Sequence, residues 1–108
     1  MKRAQLNELA QRVLAAEVAR LSKPPYAEIA QWPEFPKPND VALQIPPELS
    51  EYRFTLMRDA QADQSIRVAI QLYRHRFLGI GQMTADGFVI LPNGSFRKFT
   101  EQDVWAMT

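Results

Sequence analysis

The chain has 108 residues, of which 46% are hydrophobic and 23% charged, with a net charge of +1. That length fits one domain with a single modest core, and the near-neutral balance gives no general pull toward polyanions or basic partners. The absence of cysteine excludes disulfide stapling and thiolate chemistry and fits a reducing, cytoplasmic setting.

The basic start Met1-Lys2-Arg3 is followed by Glu8, Gln11, Arg12 and Glu17, which interrupt any secretory apolar core, and no apolar run is long enough to span a membrane. Residues 1–23 read as a helix. Leu6, Leu9, Ala10, Val13, Leu14, Glu17, Val18 and Leu21 recur at three-and-four spacing, and Pro24-Pro25 stop the run. The stripe is expected to pack on a sheet. A second reading is self-association into a homodimer, because the stripe is narrow and alanine-rich. The mixed charges of the polar face argue against a membrane-surface role.

Residues 24–50 hold seven of the eight prolines together with Tyr26, Trp32 and Phe35. Such a segment cannot build regular ladders or long helices. Pro25 suits the opening of a single helical turn through Tyr26, Ile29 and Ala30. The rest is expected to run as a strap over the domain, burying Trp32 and Phe35 as plugs, with a short extra strand at Val41, Leu43 and Ile45. The spacing of Pro33, Pro36 and Pro38 resembles that of polyproline ligands, but an exposed ligand would leave two large rings in water.

Residues 51–99 read as an antiparallel meander of four or five strands. Tyr52, Phe54 and Leu56 alternate with Arg53, Thr55 and Met57, and Ile66, Val68, Ile70 and Leu72 alternate with Arg67, Ala69, Gln71 and Tyr73. Phe77 to Met83 and Phe88 to Leu91 supply two further apolar runs, with Asp86-Gly87 expected at the tip of a tight hairpin between them. Asn93-Gly94 marks another hairpin leading to a brief edge strand, Phe96 to Phe99. Residues 100–108 read as a short helix with Thr100 as N-cap, Glu101 and Asp103 favourably placed near its N-terminus, and Trp105 as its packed anchor.

No catalytic motif is evident. His75, the single histidine, lies in Tyr73-Arg74-His75-Arg76, where the flanking arginines disfavour its protonated form. One histidine and no cysteine leave only scattered carboxylates for a metal, so neither metal nor cofactor is expected. Gly79-Ile80-Gly81 lacks the third glycine and the strand-to-helix junction of a dinucleotide loop, and no serine has a nucleophile-elbow context.

Charge is uneven: residues 51–99 carry seven basic against four acidic side chains. Arg53, Arg67 and Tyr73 share the expected non-core face, and with Arg74 and Arg76 they form the candidate partner-binding set. Arginine and tyrosine are enriched among the residues that carry protein-binding affinity, and the same pair serves RNA-binding sheets. The expectation is therefore an α+β domain. Its expected function is non-enzymatic protein binding, of the kind seen in inhibitors and toxin-neutralising immunity proteins, acting through the sheet face. A nucleic-acid-binding module is the second reading and a small enzyme using His75 the third.

Overall fold

Alternation in the longest apolar strand sets the architecture. Ile66, Val68, Ile70 and Leu72 are all buried on one face, and the chain around them forms a meander. The computed structural model describes residues 2–37, 40–75 and 81–107, without the side chains of His75, Gly81 and Gln82. Strands β1 (Tyr52–Ala60), β2 (Ile66–His75), β3 (Gly81–Ile90) and β4 (Phe96–Arg97) lie in sequence order and pair antiparallel. The register puts Leu56 opposite Ile70, and Ile70 opposite Asp86.

Helix α1 (Arg3–Leu21) lays its expected stripe on one face of this sheet. Ala10, Leu14 and Leu21 are buried with Leu56, Ile66, Val68, Ile70, Leu72, Phe88 and Ile90, while Leu6, Leu9, Val13 and Val18 pack partly against them. The stripe read as a self-association surface thus faces the core. Its one charged member, Glu17, is buried but accepts two hydrogen bonds from Arg20, at 2.8 and 3.0 Å, and one from the Gln44 amide. Arg20 also donates to the Ala42 carbonyl at 2.7 Å. This ion pair clips the strap to α1.

The strap begins with α2 (Tyr26–Ile29), the single turn anticipated after Pro25, and Ile29 is fully buried. It ends in a 3-10 turn at Pro47–Leu49 that buries Leu49. Trp32 packs against the core as expected, whereas Phe35 is 58% exposed and plugs nothing. Val41, Leu43 and Ile45 form no strand. The backbone of Ala42 and Gln44 between them is held by side chains of α1 rather than by a ladder, and the apolar groups of Val41, Leu43 and Ile45 pack partly on the core.

The hairpin expected at Asp86-Gly87 is absent, because both residues lie inside β3. Gly87 serves close backbone approach instead: a Cβ there would stand 2.0 Å from the Val68 carbonyl oxygen and 2.8 Å from the Ala69 Cα. β2 ends at His75 and β3 begins at Gly81, so Arg76 and residues 77–80 of the run from Phe77 to Met83, Gly79 and Ile80 included, lie outside the described residues, while residues 81–83 open β3.

The β1–β2 and β3–β4 turns are alike. Gln61 donates to the Ser65 carbonyl and Gln64 to the Gln61 carbonyl; Leu91 and Gly94 repeat this with Ser95 and Leu91. In each turn a side-chain oxygen, from Asp63 or Asn93, accepts the amide and hydroxyl of the serine two residues on. The left-handed position is Gly94 in one, at φ 87°, and Gln64 in the other, at φ 71°.

Helix α3 (Glu101–Ala106) closes the second face of the sheet, with Thr100 as the expected N-cap. Its anchors are Asp103 and Met107, four residues apart and both buried, the latter against Met57, Ala69 and Phe99. Trp105 lies on the opposite side of the helix and is 76% exposed, contrary to the expected anchor. Among the described residues no helix is long and apolar enough to cross a membrane.

Candidate functional site

The five arginine and tyrosine positions do not share one face. Arg53, Arg67 and Tyr73 project to the α3 side, and the register pairs Arg53 with Tyr73 and Tyr73 with the exposed Met83. Arg74, next along β2, points to the α1 side by strand alternation. Arg76 lies outside the described residues, as does the side chain of His75, which ends β2.

Arg67 is bound within the molecule. Its Nη2 donates to Asp59 Oδ2 at 2.6 Å and its Nη1 to Asp103 Oδ1 at 3.2 Å, which ties β1, β2 and α3 together. Burial by itself would raise the Asp103 carboxyl, but bonds from the Thr100 amide and hydroxyl and from Arg67 hold it below the usual carboxylate range. Arg67 is correspondingly held above its ordinary value despite its own burial, through Asp59 and Asp103. The centre of the face read as a binding surface is therefore covered by α3.

The outer edge of β1 is different. The Arg58 amide donates to the Glu34 carbonyl at 2.8 Å, so the strap supplies one rung of extended pairing there. Alternation then directs the amides of Leu56 and Phe54 outward on the same edge. Beyond that rung the strap leaves the strand, and a cleft of about 660 Å3 opens between them. Its lining is mainly apolar, with Phe35, Pro36, Val41, Leu43 and Pro46 facing Phe54 and Leu56. Sequence reasoning placed the apolar residues of the strap but not this cleft, because the Arg58–Glu34 contact that starts it has no local signature.

Comparison with protein-family models, with curated proteins and with solved structures finds no match.

A second, smaller cavity lies between α1 and the far end of the sheet. It is lined by Asn7, Gln11, Tyr52, Leu72, Arg74 and Thr84. Arg74 Nη1 donates to Asn7 Oδ1 at 3.1 Å, and the Tyr52 hydroxyl donates to that same oxygen. The guanidinium stands 5.6 Å from the centre of the Tyr52 ring, within cation–π range. Among the described residues no group of three or more histidine and carboxylate side chains is placed to hold a metal ion.

Proposed function

We propose that the chain is a protein-binding module that takes an extended segment of a partner protein at the outer edge of β1. The observation that supports it is the conjunction at that edge: outward amides of Phe54 and Leu56 beside an apolar cleft of about 660 Å3. Added strands gain affinity from main-chain hydrogen bonds and specificity from pockets for alternate side chains. The strap already forms one such rung at Arg58, and the partner continues the row where the strap departs. This keeps the protein-binding class expected from the sequence but moves its surface from the sheet face to the sheet edge. An inhibitor or immunity-type protein could work through such an edge. The nucleic-acid reading has less behind it, since Arg67 is engaged with two carboxylates and Arg74 faces the other side.

Selection from a random peptide display library tests the reading. The expected winners are extended segments with apolar residues at alternate positions. Their binding should fall at least tenfold when alternate backbone amides are methylated, and likewise in Ala42→Trp, which fills the cleft from its exposed rim without touching the core. Selected peptides that bind Ala42→Trp and the unaltered chain equally, with both equally stable to heat, would remove the edge as the site.

A further inference from the structure

Arg74 is a buried cation that no carboxylate among the described residues pairs with. Its residue is only 9% exposed, yet among the described residues it makes no ion pair, whereas Arg20 has Glu17 and Arg67 has both Asp59 and Asp103. Removing an unpaired charge from water is costly, and neutral groups offset only part of that cost. Its hydrogen-bond partner is the Asn7 side-chain oxygen, which carries partial charge alone. That oxygen also accepts from the Tyr52 hydroxyl, so both of its lone pairs are used. The side-chain amides of Asn7 and Gln11 and the hydroxyl of Thr84 remain as donors around the cavity.

We propose that this cavity binds a small oxyanion, a carboxylate or phosphate group, with Arg74 as its charge partner. The guanidinium fork matches either group in a two-point contact. The volume of about 250 Å3 corresponds to that of roughly eight water molecules in the liquid. A phosphate, or a carboxylate on a short carbon chain, fits that space, and Leu72 supplies an apolar wall for the chain. Among the described residues every other polar side chain that lines the cavity is neutral, so none of them opposes a bound anion.

Asn7→Asp discriminates, because it is isosteric and places a carboxylate where the amide oxygen now meets Arg74. The experiment titrates the full chain with inorganic phosphate in one arm and sodium butyrate in the other. Side-chain amide and guanidinium NMR shifts are followed at ionic strength matched with chloride. The expected result is saturable binding of one or both anions, with a Kd of about 1 mM or tighter. In Asn7→Asp the affinity should drop at least tenfold, while its unfolding temperature without added anion is unchanged or higher. The arm that saturates names the head group. Failure of both anions to bind the unaltered chain would overturn the proposal, as would Asn7→Asp binding as tightly as the native residue.

Discussion

Gln64 occupies a backbone conformation that its twin, Gly94, occupies freely. The two turns share their hydrogen bonds, so the glutamine carries the cost of a left-handed side-chain residue without altering the turn. That conformation costs an L-residue roughly 1–2 kcal/mol, of which glycine's extra unfolded freedom gives back about half. Gln64→Gly should therefore raise unfolding free energy by about 0.5–1 kcal/mol, as read from urea denaturation midpoints. The Tyr26 hydroxyl should keep its bond to the backbone carbonyl of residue 64, since that bond needs no side chain. A lower midpoint would show that the Gln64 side chain contributes more than the strain removes.

At the scale of elements, two ion pairs fasten the coverings of the sheet. Glu17 with Arg20 holds the strap, and Asp103 with Arg67 holds α3. Burial tends to raise both carboxyls, but hydrogen bonds from their partners prevail and leave each below its ordinary value. A carboxyl whose folded pKa is depressed stabilises the fold fully above its unfolded value, about 4, and loses that contribution as pH falls through the folded value. Acid should thus loosen the strap and α3 below about pH 4. Hydrogen exchange should register this at the α3 amides and at Gln44 before β2 opens; simultaneous loss of protection everywhere would contradict it. Asp103→Ala removes the N3 half of the capping box, leaving the Thr100 hydroxyl to cap alone, together with one end of the ion pair, and should cost about 2–4 kcal/mol in chemical denaturation.

The elements themselves were largely legible, because strand alternation and the three-and-four stripe of α1 are local patterns. Asp86-Gly87 misled for the same reason. Its turn chemistry is local, but the close approach of the β2 backbone at Val68 that calls for glycine is not. Trp105 drew attention by size, while helical spacing from the cap selects Asp103 and Met107 as the inward pair.

At the scale of the whole molecule, the sheet lies between α1 with its strap and α3, and its two faces are unequally covered. Arg74 shows how far the candidate sites could be read from the chain. Counting by twos from Ile66 already puts it on the core side, away from Arg67 and Tyr73, but that its partner among the described residues is the neutral Asn7 appears only once the two are brought together. The cleft on β1 was less legible still, since it depends on where a proline-rich strap leaves a strand 24 residues further along the chain than Glu34.

The opposite border of the sheet carries its own protection. Among the described residues β4 pairs with Val89 and Ile90, so most of β3 has no strand partner on that side. There the Gly87 amide is taken by Asp86 Oδ1 at 2.8 Å, which removes a donor and plants a carboxylate along an open rim. Charges on open rims are a known brake on edge-to-edge stacking of sheets into aggregates. Asp86→Ala should leave the native fold standing yet shorten the lag before thioflavin-positive fibrils form in concentrated, agitated solution. An unchanged lag would assign that protection elsewhere. This one aspartate then matters less for holding the chain folded than for keeping one copy apart from the next.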